Sequence, residues 1–222
     1  MFFRRKQPID ERLERWRALA ARLELSDAAD VAERIRRWLD LDVASLAPIF
    51  ALHRNGLPTA YLFDAVSERR GTCVVVTVVR TICMVRSEDP IARVAFRASP
   101  RQDKVLESLQ ASRSGAVRLA LPNDPAFDAD VSVYARDADG VTLLLTPPVR
   151  AVLRRLLVER GAPDVSLVVG ERHVVTGFAG GGERSLETLE QVLADTLSLV
   201  SLLPAVQRAH DELSPDDLLD LG

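Results

Sequence analysis

The chain has 222 residues, 47% of them hydrophobic, with 29 lysines and arginines against 32 aspartates and glutamates and a net charge of −3. That length allows one large domain or two small ones, with an ordinary globular core. The small negative excess speaks against a global attraction to nucleic acid, and no stretch reaches the ~18 apolar residues of a membrane span.

The start, Met1-Phe2-Phe3-Arg4-Arg5-Lys6, has charges but no apolar run behind them, so no secretory signal is read there. Leu13, Trp16, Ala20 and Leu23 recur at spacings of three and four and predict a helix over 9–25. Ser26 or Asp27 caps a second helix to about Leu41, with Val31, Ile35, Trp38 and Leu39 on its apolar face. The short joint between them predicts a helical hairpin.

Pro48 closes the helical part. Ile49–His53 and Thr59–Ser67 read as strands about the turn signal Asn55-Gly56. Thr72–Arg86 is long and apolar on both faces, which predicts a central strand, bent or bulged near Arg80. Ile91–Ala98 alternates as a further strand, completing an expected four-stranded meander. A short helix follows over 101–111, then strands at 116–121 and 130–135 about the Pro122-Asn123-Asp124-Pro125 loop. Val141–Leu145 fits a strand or a helical turn. Thr146-Pro147 is a helix start, with threonine as cap and proline in the first position. That helix ends at Gly161. A hairpin over 164–179 turns at Gly170-Glu171, and Ser185 caps a long helix that Pro204 must kink or break. Residues 211–222 hold five acids and no base.

The order of elements predicts an α+β fold, an antiparallel sheet meander with an N-terminal helical hairpin and a long C-terminal helix. The expected division is a hairpin at 1–47, an α+β domain at 48–213 and an acidic tail at 214–222.

Candidate chemistry is sparse. His53, His173 and His210 show no metal-ligand spacing. Cys73 and Cys83 lie ten residues apart in one apolar run. As one strand that run separates them by roughly 33 Å, against the ~7 Å a disulfide allows, so both are expected reduced and buried. Asp124, Asp128, Asp137 and Asp139 cluster near turns, where aspartate bonds its own backbone; acid–base work or a divalent ion is the alternative. Gly180-Gly181-Gly182 with Arg184 precedes a helix, yet fits neither phosphate-loop spacing. Residues 1–22 hold seven bases and three acids. Arg4, Arg5, Lys6, Arg12 and Arg15 are the candidate contacts to an acidic partner, a nucleic-acid backbone or an anionic membrane surface into which Phe2 and Phe3 insert. Leu199, Leu202, Leu203 and Val206 lie on a helix whose apolar residues go nearly all the way round, so either the core or a second subunit must cover it. They are the candidate homodimer contacts.

Phe127-Asp-Ala-Asp-Val-Ser-Val, Leu-Leu-Leu-Thr-Pro-Pro-Val, Leu-Arg-Arg-Leu-Leu and the hairpin Val-Ser-Leu-Val-Val-Gly-Glu-Arg-His-Val-Val run to Phe178. This frame resembles the carboxy-terminal half of a bacterial family of uncharacterised proteins, a domain of unknown function. Its members often begin with a helix like Arg15–Leu25 and sometimes carry membrane spans. The resemblance implies no catalytic residue. Lysine stands only at positions 6 and 104, and the other 27 basic residues are arginine, the coding bias of a GC-rich bacterial genome.

The reading is therefore a cytoplasmic, non-enzymatic binding or scaffolding protein without a cofactor, self-associating or bound to a protein partner. Two alternatives stand beside it. One is a hydrolase or nucleotide-binding enzyme with dispersed Asp, Arg and His side chains. The other is nucleic-acid or membrane-surface binding through the N-terminal arginines.

Overall fold

The computed structural model describes residues 9–39, 43–70, 75–87, 94–98, 117–135, 138–160, 166–170, 172–179 and 185–203. Its elements are α1 (Ile9–Leu23), β1 (Ser26–Asp27), a 3-10 turn (Ala29–Val31), α2 (Ala32–Leu39), β2 (Ser45–Leu52), β3 (Ala60–Arg70), β4 (Val75–Arg86), β5 (Val94–Ala98), β6 (Val117–Leu119), α3 (Pro125–Asp130), β7 (Val131–Ala135), α4 (Ala138–Leu144), α5 (Pro147–Arg154), a π-helical turn (Arg155–Glu159), β8 (Ser166–Gly170), β9 (His173–Ala179) and α6 (Leu186–Leu202). The nine strands among the described residues form one sheet in the order β1-β2-β3-β4-β9-β8-β5-β7-β6, and every neighbouring pair is antiparallel. The α+β class read from the order of elements is the class found.

The meander is shorter than expected. β2, β3 and β4 follow one another, but β4 pairs next with β9, and β5 lies between β8 and β7. The β8–β9 hairpin is thus inserted where the sequence suggests a direct neighbour. β4 carries no bulge at Arg80: its register with β3 is unbroken from Ala60↔Val85 to Arg70↔Val75. The irregularity lies instead in β2, between Leu46 and Ile49, around the cis Ala47–Pro48 bond. Proline has no N–H to give to a ladder, so it is at home at such a break. β2 consequently starts at Ser45 rather than after Pro48. At the β2–β3 turn the Leu57 amide donates to the Arg54 carbonyl (3.1 Å) and Gly56 takes φ 77°, a conformation that favours glycine.

The first two helices are not a packed hairpin. Helix α1 ends with Glu24 at φ 56° and the Leu25 amide donating to the Ala20 carbonyl at 2.8 Å, a closed helix terminus. The chain then forms β1 on the sheet edge and passes to the other side. Trp16, Leu19, Ala20 and Leu23 of α1 pack with Phe50, Leu62, Cys83 and Val174 on the first face. Val31 and Ile35 pack with Ile49, Phe63 and Met84 on the second. Alternation along each strand makes this possible, since successive side chains point to opposite faces. It also explains why β4 is apolar on both sides: helices cover both.

Helix α6 lies on the first face over β4 and β9, flanked by α1 and by α5 with its π-turn. Leu189, Val192, Leu193, Leu199 and Val200 are buried, while Glu187, Gln191, Ala194 and Ser201 face solvent. The solvent-facing line is polar or small. Leu199 and Leu203 are enclosed within the protomer, and Leu202 is half-buried against the same core. Leu199 and Leu203 take their cover within the chain, where α1 and α5 flank α6, while Leu202 keeps part of its surface. Val206, the helix expected at 101–111 and the acidic tail lie outside the described residues.

Candidate functional site

Two groups of ionisable side chains stand out, one inside the fold and one on its surface. The inner group centres on Asp64, which alternation along β3 turns to the first face beside Leu62. Its Oδ2 accepts from the Arg12 Nε (2.9 Å) and the Trp16 Nε1 (2.6 Å), and the Arg12 Nη2 lies 2.6 Å from the same oxygen. Its Oδ1 accepts from the Thr81 hydroxyl at 2.8 Å, across the β3–β4 register pair. Arg12 and Trp16 are four apart and project from one side of α1. Asp64 is 1% exposed. Burial pushes its carboxyl up, against the opposing charge of Arg12 and the bonds from Thr81 and Trp16. These contacts tie α1 to the sheet.

A second internal set joins α6 to the sheet. Thr196 Oγ1 and Thr176 Oγ1 lie 3.1 Å apart, and Thr196 donates to the Val192 carbonyl at 2.7 Å. Cys83 is buried with them, a free thiol pushed up to about 12 by burial. It is a core thiol, not an activated one. Asp195 accepts from the Arg155 Nε (3.2 Å) and the Arg160 Nε (2.6 Å), linking the π-turn to α6.

The surface group is a groove of about 670 Å³ between α3 and α5. Asp124 caps α3, its Oδ1 accepting the Phe127 amide at 3.1 Å, and its Oδ2 accepts from the Arg150 Nη1 at 2.6 Å. Arg150 is further held by its Nε on the Leu145 carbonyl at 2.7 Å. One turn along α5, the Arg154 Nη2 donates to Asp130 at the far end of α3. The two helices are stapled at both ends by Asp–Arg pairs, and the groove runs along α5 past both arginines. The bond from Arg150, then that from the Phe127 amide, holds the Asp124 carboxyl below the usual carboxylate range. Pro147, Ala151 and Val158 make its apolar stripe, with Val158 41% exposed.

The groove's far end is made by the π-helical turn. Here the Arg160 amide donates to the Arg155 carbonyl, five residues back, at 2.9 Å. A π-turn is a rare, locally costly insertion that recurs at functional sites. Arg155 and Arg160 both reach Asp195 across it, and Val158 stands out into the groove.

The residues singled out from sequence are scattered. Arg12 is in the Asp64 network rather than on a contact surface, and Arg15 is half-buried on the same helix with an interaction of its own. Arg4, Arg5 and Lys6 lie outside the described residues, as do Cys73, Asp137, the glycine triplet with Arg184, and His210. His53 Nδ1 is 3.5 Å from the Thr59 hydroxyl. His173 lies on the second face, its ring 5.4 Å from that of Trp38. Asp128 is 4.0 Å from the Arg118 Nη2, and Asp139 falls within α4. Among the described residues no group of three His, Cys, Asp or Glu side chains could hold a metal ion, and no helix is long and apolar enough to cross a membrane. Sequence reading missed Asp64, Arg150 and Arg154. Asp64 carried a usable signal, a charge on the inward parity of an otherwise apolar strand.

No protein-family model matches the chain, and no curated protein does. Among solved structures it is similar to the crystal structure of the mycobacterial trehalose monomycolate transport factor A, TtfA, at 10% identity and a TM-score of 0.55, over 88% of this chain and 93% of that one. At that identity the likeness is one of fold.

Proposed function

We propose that the chain is a non-enzymatic binding or accessory protein and that the α3–α5 groove is where it takes a protein partner. The observation that carries this reading is the groove's construction. An apolar stripe is walled by arginines that carboxylates already hold in place, so little side-chain entropy is lost when a partner arrives. The fold likeness to a protein named as a transport factor supports an accessory role. Asp124, one of the two carboxylates that line the groove, is held down and committed to capping and pairing, which makes it a poor proton donor at neutral pH.

The test is quantitative capture of partners from the source cell by the tagged full chain and three variants. Arg154→Glu and Val158→Asp should both lose the same set of captured proteins, while Leu57→Asp, at the exposed β2–β3 turn, should keep it. Equal capture by all three variants would contradict the groove as the binding site.

A further inference from the structure

The end of the sheet beside the β2–β3 turn gathers four polar side chains from distant parts of the chain. Leu52, Ala60, Val85 and Val174 are successive register partners across β2, β3, β4 and β9, and all four belong to the first-face core. The next residue on each strand toward that end is His53, Thr59, Arg86 and His173, so alternation gives this row to the second face. The row is joined along its length. The Thr59 hydroxyl is 3.5 Å from the His53 Nδ1, the Arg86 amide donates to the Thr59 carbonyl at 2.9 Å, and Arg86 is the register partner of His173. Strands about 4.8 Å apart make the row roughly 14 Å long.

Its charge is one-sided. Arg86 is exposed, with its Cζ 5.2 Å from the centroid of the Trp38 ring, and the His173 ring lies 5.4 Å from the same ring. Tyr61, 6.2 Å from Trp38, supports that ring from the sheet. A guanidinium held over an aromatic ring keeps its N–H edge for an anion. Among the described residues no carboxylate pairs with Arg86. The acids of the covering helix are engaged with its own arginines, Asp30 with Arg34 at 3.6 Å and Glu33 with Arg36 at 3.7 Å. Arg54 and Arg172, on the adjoining turns, are exposed and add positive charge.

We infer that this row binds a phosphate group, with Arg86 at its centre and Thr59 and His173 on either side. The arginine fork alone fills the two oxygens of a carboxylate. A phosphate has oxygens to spare for the flanking hydroxyl and imidazole, one strand away on each side. The site stands apart from the α3–α5 groove, whose helices pack on the first face.

The test titrates the full chain with inorganic phosphate, pyrophosphate and acetate at constant ionic strength, by calorimetry and by tryptophan emission. Both phosphates should saturate and change the emission, and Trp38→Phe should remove the change. Arg86→Gln should weaken phosphate binding about tenfold and Thr59→Val about threefold. Arg22→Gln, which removes the same charge from the first face, should leave it within about twofold. Acetate should bind at least about tenfold more weakly than phosphate. Absence of saturation, equal weakening by Arg86→Gln and Arg22→Gln, or acetate bound as tightly as phosphate would overturn the inference. Melting curves check that each variant folds. If Arg86→Gln does not, Thr59→Val decides, and unchanged affinity there overturns the site.

Discussion

Asp64 and Asp124 are each met by an arginine and by further donors, yet their carboxyls are pushed in opposite directions. Asp64 accepts from Arg12, Trp16 and Thr81 and is still raised, because burial outweighs every favourable partner. Asp124 is lowered by the bonds from Arg150 and one backbone amide, which its slight burial does not outweigh. Counting hydrogen bonds therefore does not predict the sign; the extent of desolvation does. The difference also separates the two regions by role. The Asp64 network holds α1 on the sheet, and the Asp124–Arg150 pair shapes one wall of a surface groove.

The largest expected effect is at Asp64. Replacing it with alanine leaves the Arg12 guanidinium and the Trp16 indole N–H without their acceptor beneath α1. Urea unfolding of Asp64→Ala should show a loss of about 3–5 kcal/mol. A loss below about 1 kcal/mol would mean that the network is an ornament on a helix held by packing alone. Next comes Thr196→Val, which strands the Thr176 hydroxyl under α6 and should cost about 1–3 kcal/mol in the same assay.

The two carboxylates should also give opposite pH dependences. The folded protein holds the Asp64 proton to higher pH than the unfolded chain does, so ν_N exceeds ν_U and stability falls as pH rises through the folded value. Wild type should therefore gain on Asp64→Asn as pH drops from neutral toward the unfolded value of 3.8. At Asp124 the folded value is depressed, so its contribution is present above 3.8 and is lost as pH falls through the folded value. Wild type should lose ground to Asp124→Asn there. Melting temperatures of the three proteins across the acid range would check both signs, and slopes of the same sign would break the comparison.

The smallest effect on stability is expected in the groove. Arg154→Glu and Val158→Asp touch exposed side chains and one surface ion pair, so each should stay within about 1 kcal/mol of wild type. A larger loss would make the staple a part of the scaffold and undo the contrast with Asp64.

Much of the fold was legible because it is written locally. The long apolar run Thr72–Arg86, the Asn55-Gly56 turn between Ile49–His53 and Thr59–Ser67, Thr146-Pro147 and the Ser185 cap each mark an element through its own residues. Ser185 Oγ does accept the Thr188 amide, at 3.2 Å. Strand order was less legible, since nothing in Val75–Arg86 says that its second partner is His173–Ala179, about ninety residues on, rather than the next strand. The helical hairpin failed for a related reason. An amphipathic helix displays that it has a buried face, but Trp16 and Ile35 do not display which side of the sheet each will cover. The π-turn was invisible because Arg155–Glu159 has the composition of ordinary helix. The groove depends on Asp124 and Asp130 meeting Arg150 and Arg154 across 26 and 24 residues, a spacing that carries no local period.

The central claim is that the α3–α5 groove is the surface through which this protein works, and cross-linking in the living cell tests it most directly. A photoreactive residue in place of Val158 should yield a discrete partner adduct that Arg154→Glu removes, while the same residue in place of Leu57 should yield none. Adducts of equal yield at both positions, or an adduct at 57 alone, would contradict it.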